Sequence, residues 1–228
     1  MKKQRQIVFD TETTGLNKFG LPYIGHRIIE IGAIELINRK FTGKIFHTYL
    51  NPNRLIDTEA FKIHGINNEF LKNKKNFKEI SNDFLKLIKD ADLIAHNAMF
   101  DVNFINYEFS LINKNFPKIE NLCNIIDTLS IARKLFPRKK NSLNSLCKRF
   151  EINKSKRVLH SALVDAKLLT KVYLFMTGGQ QILKPKKETK FNEEKYKNKK
   201  ILNLTNTIYA NKKEILNHNL FFKTNQNI

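Results

Sequence analysis

The sequence predicts an α/β fold in which a mixed five-stranded sheet is flanked by helices and followed by a flexible C-terminal tail. Three observations indicate this class. Segments rich in β-branched residues come first, and strand-like and helix-like segments then alternate along the chain. The 228 residues include 41% hydrophobic residues and 18 Phe, enough for one full domain with a large core. From residue 184 onwards the chain becomes rich in lysine, with 11 Lys against four acidic residues.

Each predicted element rests on a local pattern. β-branched or alternating residues indicate strands at 7–10, 26–36, 44–50 and 92–97, and a strand followed by a helix within 122–135. Apolar residues at helical spacing indicate helices at 57–64, 80–88, 99–112, 142–150 and 161–175. Short connections between the first three strands favour antiparallel pairing, and the later alternation of strands and helices implies helices packed on the faces of the sheet.

The same composition predicts three parts. Residues 1–183 form the main domain, 184–200 a flexible linker that is too charged to pack, and 201–228 a tail with apolar positions. The tail is too short for a core of its own, so we expect it to fold on a partner.

The composition also argues against several classes of protein. Cys123 and Cys147 lie outside any CxxC pairing in mostly apolar segments, so neither a disulfide framework nor a zinc site is expected. Neither a signal-peptide core nor a membrane-spanning run is visible, and a reducing cytoplasm fits best. The net charge of +20 suggests a polyanionic partner such as nucleic acid, although a coding bias towards A and T explains the lysines equally well.

Two carboxylates end the first predicted strand. Asp10 and Glu12 are two residues apart, so a strand projects both side chains from one face. Like charges this close repel and raise each other's pKa unless a cation lies between them, and hard divalent ions such as Mg²⁺ or Mn²⁺ prefer oxygen ligands. The pair therefore predicts half of a metal site.

Two further motifs supply acids and a histidine. Each motif has an ordinary explanation when it stands alone, since Asp101 and Asp165 suit the start of a helix and His160 suits a surface loop. Their joint occurrence in this order favours one catalytic site. The three motifs are Asp10-x-Glu12-Thr13-Thr14-Gly15, His96-Asn97-x-x-Phe100-Asp101 and His160-x-x-x-x-Asp165.

This pattern resembles the DEDDh exonuclease superfamily, whose name stands for four acids and a histidine. The resemblance covers about residues 5–183 and implies a ribonuclease H-like fold, two divalent metal ions, Mg²⁺ or Mn²⁺, and removal of nucleotides from DNA 3′ ends. It assigns Asp10 to both ions, Glu12 and Asp165 to the ion that holds the attacking water, and Asp101 to the second ion. It makes His160 the general base, a role that suits a ring titrating near neutral pH.

The resemblance also implies a nucleotide-binding set. Backbone groups near Thr11 and Thr14 and the side chain of Leu16 are expected against the terminal nucleotide, together with Glu59, His64 and the metal-site residues Asp10, Glu12 and Asp165. The alternative for His64 is a histidine that ends a helix beside Gly65. We expect His26, His47, His96 and His218 to be structural.

The superfamily members most similar to this pattern proofread for the replicative DNA polymerase III. This likeness implies binding to the polymerase alpha subunit through residues 201–228, with the theta subunit and the sliding clamp as further candidate partners. Residues 180–185 resemble a clamp-binding peptide, but Pro185 stands where such peptides end in an apolar or aromatic residue.

Two other functions stay open on the residues alone. A DEDDh enzyme that trims RNA, or an oligoribonuclease, would share the same acids, and the long tail argues against it. A non-catalytic polymerase assembly subunit would not need the acids, which are all present.

Overall fold

The computed structural model describes residues 4–154 and 159–178. Five strands form one sheet in the order β3-β2-β1-β4-β5. Strands β1 to β3 pair antiparallel, whereas β4 and β5 run parallel to β1, which confirms the predicted mixed five-stranded sheet. The strands are β1 Arg5–Thr13, β2 Ile28–Ile37, β3 Lys40–Tyr49, β4 Asp92–Ala95 and β5 Ile125–Asp127.

Eight helices accompany the sheet within the described ranges, and no helix there is long and apolar enough to cross a membrane. Two four-residue helices, α2 and α5, were not predicted. The helix α5 ends at Leu122, where we expected a strand to begin, and that strand starts at Ile125 instead. The helices are α1 Thr58–His64, α2 Asn68–Leu71, α3 Phe77–Ile88, α4 Ala98–Ile112, α5 Ile119–Leu122, α6 Thr128–Leu135, α7 Leu143–Arg149 and α8 Ala162–Thr177.

The strand β1 alternates between two cores. Ile7 and Phe9 face the larger core, which α3 and α4 cover, while Val8 faces a smaller one shared with Leu169 and Tyr173 of α8. Side chains two residues apart in a strand share a face. The face that carries Val8 therefore also carries Asp10 and Glu12, on the side of the sheet where α8 packs.

A glycine lets α8 approach this face. Gly32 in β2 pairs with Asp10, and a Cβ atom at residue 32 would lie 2.3 Å from the Leu163 nitrogen and 2.4 Å from the Ala162 carbonyl carbon. Only glycine fits such a contact between two backbones. The first turn of α8, which contains Asp165, is thereby held beside the end of β1.

Cys123 and Cys147 are both buried. The predicted linker at 184–200, the predicted partner-binding tail at 201–228 and the clamp-like peptide at 180–185 lie outside the described residues. The division of the chain into these parts therefore stays a prediction.

Candidate active site

The site lies where β1 extends past the end of β4, its parallel neighbour. The strand β4 pairs with β1 only from Gln6 to Val8, so Asp10 and Glu12 project beyond the end of β4. Strand ends of this kind leave an open edge at which side chains from several elements can meet. Here the first turns of α4 and α8 supply the other two acids, Asp101 and Asp165.

Asp101 is anchored to β1 by two hydrogen bonds. The backbone N–H of Thr11 donates to Asp101 Oδ1 at 3.1 Å, and the Thr11 hydroxyl donates to the same oxygen at 2.7 Å. Burial raises the pKa of Asp101 from 3.8 to about 7, against the opposing effect of the Thr11 hydrogen bonds. The charge of the Asp127 carboxylate raises the pKa further, so the Asp101 carboxyl favours a cation beside it.

Three predicted residues meet as a compact group of ligands. One ligand atom each from Glu12, His160 and Asp165 lies within 4.8 Å of the others. Nδ1 of His160 is 3.6 Å from Asp165 Oδ2, and the side chain of Asp165 is buried while that of His160 is 46% exposed. The acids are thus shielded from solvent, whereas the histidine reaches into it.

One open cavity of about 840 Å³ connects all of these groups. The five residues of the predicted pattern line it together, although they come from β1, α4, α8 and the loop before α8. They are Asp10, Glu12, Asp101, His160 and Asp165.

A smaller cavity of about 200 Å³ adjoins it, because Thr11, Glu12 and Phe100 line both. Of the predicted nucleotide-binding residues, Asp10 and Asp165 line the larger cavity, whereas five line the smaller one together: Thr11, Glu12, Leu16, Glu59 and His64. Glu59 is exposed and pairs with Lys18 at 2.9 Å, which lowers the pKa of its carboxyl. The Thr14 side chain lines neither cavity; its hydroxyl accepts from the Arg27 N–H at 3.0 Å.

His64 lies at the end of a helix and also lines the smaller cavity. Its Nδ1 accepts a hydrogen bond from the Ile66 N–H at 3.0 Å, just after α1 ends at Gly65, as a helix-terminating histidine would. Its Nε2 is buried and makes no hydrogen bond of normal geometry with another described residue. Burial lowers the pKa of the ring, and the Thr13 backbone opposes this shift. The ring is thus neutral near pH 7, and it lines the smaller cavity.

Three histidines expected to be structural have side-chain partners. His26 lies 3.3 Å from the Thr14 hydroxyl, His47 lies 2.8 Å from Glu30, and His96 lies 2.9 Å from the Thr128 hydroxyl. His96 also lines the larger cavity. His218 lies outside the described residues.

Several other residues that line the two cavities were not predicted from the sequence. Phe100 lines both cavities, and its position inside the second motif was the available signal. Three exposed basic residues, here called the basic rim, line the larger cavity at the end of α6 and in the loop that follows. They are Arg133, Arg138 and Lys139.

The family model described as Exonuclease (RNase_T) matches residues 7–173. DNA polymerase III subunit epsilon of Buchnera aphidicola subsp. Schizaphis graminum is 56% identical over 224 residues, covering 96% of each chain. The epsilon subunit of Escherichia coli strain K12 is 56% identical over 176 residues, 77% of this chain and 72% of its own. The chain belongs to the DNA polymerase III epsilon family.

Solved structures agree on the fold. Exonuclease X in complex with 5′-overhanging duplex DNA is 24% identical, with a TM-score of 0.57 over 75% of this chain and 90% of its own. The nuclease domain of 3′hExo, a DEDDh family member bound to rAMP, is 18% identical, with a TM-score of 0.63 over 77% and 92%. The epsilon-family chain therefore has the ribonuclease H-like exonuclease fold.

Membership of the epsilon family makes this chain an enzyme, a 3′–5′ proofreading exonuclease. The residues present fit the divalent metal ions that the family implies. Four carboxylates line one cavity, three of their side chains are largely buried, and burial raises the pKa of Asp101. Oxygen donors in this number are what hard divalent ions prefer.

Proposed function

We propose that this chain hydrolyses the terminal phosphodiester at the 3′ end of single-stranded or frayed DNA and releases nucleoside 5′-monophosphates. The observation that carries the proposal is the meeting of Glu12, His160 and Asp165 within 4.8 Å, in a cavity that Asp10 and Asp101 also line. A phosphodiester needs an activated water, neutralised phosphate charge and a stabilised leaving oxygen. With divalent ions bound, this donor set can supply all three.

Two ions of the Mg²⁺ or Mn²⁺ type are the proposed cofactors. When bound, they neutralise the phosphate, lower the pKa of the attacking water and stabilise the leaving 3′ oxygen. Asp10 would hold both ions, Glu12 and Asp165 one of them, and Asp101 the other. The Thr11 hydrogen bonds fix Asp101 Oδ1 in place for this role.

His160 is the proposed general base. A nitrogen of its ring accepts the proton that the attacking water loses as the new P–O bond forms. The Asp165 carboxylate, 3.6 Å from Nδ1, stabilises the resulting imidazolium. The P–O bond to the penultimate nucleotide breaks, and its 3′ oxygen takes a proton from solvent. The 46% exposure of His160 lets the ring pass its own proton on to solvent.

The smaller cavity is the proposed place of the terminal nucleotide. Leu16 offers an apolar surface that is 49% exposed, and the His64 ring lines the same cavity. Thr11 and Glu12 belong to both cavities, so a nucleotide bound here lies next to the metal site. The DNA strand would leave across the basic rim, where exposed cations match phosphates.

The proposed partners follow the family. The tail at 201–228 would bind the polymerase III alpha subunit, with the theta subunit and, through 180–185, the sliding clamp as further partners. The proposed location of this exonuclease activity is the cytoplasm. A tether keeps the exonuclease near the primer end at high effective concentration, so the domain needs little DNA affinity of its own. Truncation after Leu183 tests this idea, since it should abolish alpha binding while single strands are still degraded.

An assay with labelled 3′ ends tests the substrate class. We expect Mg²⁺-dependent release of nucleoside 5′-monophosphates from single-stranded DNA and much slower release from RNA of the same sequence. Faster degradation of RNA would instead support the RNA-trimming alternative. No release from either strand would leave only the assembly role.

A further inference from the structure

A buried carboxylate lies one strand away from the active site. Glu30 of β2 is fully buried, and it pairs directly with Glu12 of β1. Directly paired residues in a sheet project their side chains from the same face, so Glu30 lies on the face that carries the site. None of the three sequence motifs includes it.

Glu30 is the centre of a small polar cluster, here called the Glu30 cluster: Glu30, His47, Tyr49 and Ser161. Oε1 of Glu30 is 2.8 Å from His47 Nε2 and accepts a hydrogen bond from the Ser161 hydroxyl at 2.9 Å. Burial raises the pKa of the Tyr49 phenol, and the Glu30 carboxylate raises it further. A buried carboxylate is costly, and an apolar side chain would fill the same space without that cost.

The link to Ser161 departs from the usual role of a serine at this position. Ser161 is the N-cap of α8, where a serine normally accepts a hydrogen bond from the first turn of its own helix. Here the side chain makes no such bond and donates to Glu30 instead. The sequence thus uses the serine to join α8 to β2.

Ser161 follows His160 directly, so this bond fixes the chain next to the proposed base. The backbone N–H of His160 donates to the Ile63 carbonyl of α1 at 3.2 Å. Two of the contacts that hold this residue are therefore with α1, through its own backbone, and with β2, through its neighbour.

We propose that Glu30, supported by His47, is a positioning residue that holds His160 in place through Ser161. The inference rests on the proposed role of His160 as general base. Removing the Ser161 hydroxyl leaves the metal site and the nucleotide site intact, but it removes one contact that holds the base in place. A small displacement of a catalytic group lowers the rate of the chemical step more than it weakens substrate binding.

Kinetics of Ser161→Ala on single-stranded DNA test the proposal. We expect kcat to fall about tenfold with KM within about twofold of the parent, because misplacement acts on the chemical step. Ser161→Thr keeps the hydroxyl and should restore most of kcat. Glu30→Gln removes the charge but keeps an acceptor, so an intermediate loss is expected if that variant folds.

Asn76→Ala is the matched control. Asn76 caps α3 with a capping box away from the site, so its loss should lower the melting temperature and leave kcat unchanged. Ser161→Ala removes a hydrogen bond from a buried carboxylate, so its melting temperature should fall as well, but only this variant should also lose kcat. An unchanged kcat for Ser161→Ala, or a change in KM alone, would overturn the proposal.

Ser161→Ala in a His160→Ala background separates the proposed role of Ser161 from the proposed role of His160. If Ser161 acts through His160, Ser161→Ala should leave the residual kcat of His160→Ala unchanged. A further loss of similar size there would show that Ser161 acts by another route. If His160→Ala itself retained full activity, the proposed role of the base would fail, whatever Ser161 does.

Discussion

Asp10 is the residue on which the proposed chemistry depends most, because it would bind both metal ions. We expect Asp10→Asn to keep the fold and lose at least about a hundredfold in kcat, since an amide replaces the shared charged ligand. Steady-state hydrolysis of single-stranded DNA measures the loss. Asp83→Asn is the control, because Asp83 lies on the exposed side of α3, where it pairs with Lys86 at 3.8 Å. Activity of Asp10→Asn within tenfold of that control would contradict the assignment.

Asp101 links metal binding to pH. Its pKa in the folded, metal-free protein is raised to about 7, from 3.8, so between these values the folded state binds a proton more tightly than the unfolded chain does. Stability of the metal-free protein should therefore fall as pH rises from about 4 to about 7. Divalent ions bind the charged carboxylate, so stabilisation by Mg²⁺ should be larger near pH 7.5 than near about pH 5.

Melting temperatures with and without Mg²⁺ at the two pH values check this linkage. Asp101→Asn removes the titrating group, so it should lose this component of the pH dependence and much of the metal effect. A metal effect of equal size at both pH values would show that Asp101 does not exchange its proton for the ion.

At the scale of elements, the contact between β2 and α8 sets the distance between the acids. Gly32→Ala would place a Cβ atom 2.3 Å from the Leu163 nitrogen, and α8 must move away. We expect a loss of about 1–3 kcal/mol in stability. Activity should fall with it, because Asp165 moves with the first turn of α8.

Chemical denaturation and the hydrolysis rate of the folded fraction measure these two effects. Gly178→Ala makes the same change after α8, where φ is −88°, a backbone conformation open to any residue. If Gly32→Ala matched this control in both stability and rate, α8 would be able to move away from β2 without loss of stability or activity.

Several elements were predictable because their signals are local. Alternation in β1 placed Asp10 and Glu12 on one face, and Gly65 ended α1 in the left-handed conformation, at φ 70°. The start of β3 was missed because residues 40–44 are exposed and show no apolar alternation, although Lys40 and Phe41 pair with β2. Four-residue helices such as α2 carry too few residues for a helical period.

The site was predictable in its acids and not in what supports them. The five residues of the pattern stand in short motifs, whereas the contact of Ser161 with Glu30 joins residues 131 positions apart. The need for glycine at residue 32 likewise depends on where α8 packs. Long-range contacts of this kind leave no periodic signal in the chain.

At the scale of the whole molecule, the basic rim places part of the net charge of +20 beside the larger cavity. Arg138→Ala combined with Lys139→Ala should weaken single-stranded DNA binding and reduce the dependence of log K on log salt by about 0.7 for each phosphate that is no longer neutralised. Fluorescence titrations at several salt concentrations measure that slope. Lys78→Ala with Lys86→Ala removes the same charge from α3. Equal slopes for the two variants would show that the basic rim contributes no more to DNA binding than lysines elsewhere on the surface.

The central claim, that this chain proofreads DNA 3′ ends at the described site, is tested most directly by single-turnover hydrolysis of two duplexes that differ only at the 3′-terminal pair. A terminal base must leave its partner to reach the cavity, and a mismatch has already lost part of that unpairing cost of a few kcal/mol. We predict Mg²⁺-dependent removal of the mismatched nucleotide at least about tenfold faster than of the matched one, with both lost in Asp10→Asn. Equal rates on the two duplexes, or removal that persists in Asp10→Asn, would contradict the account.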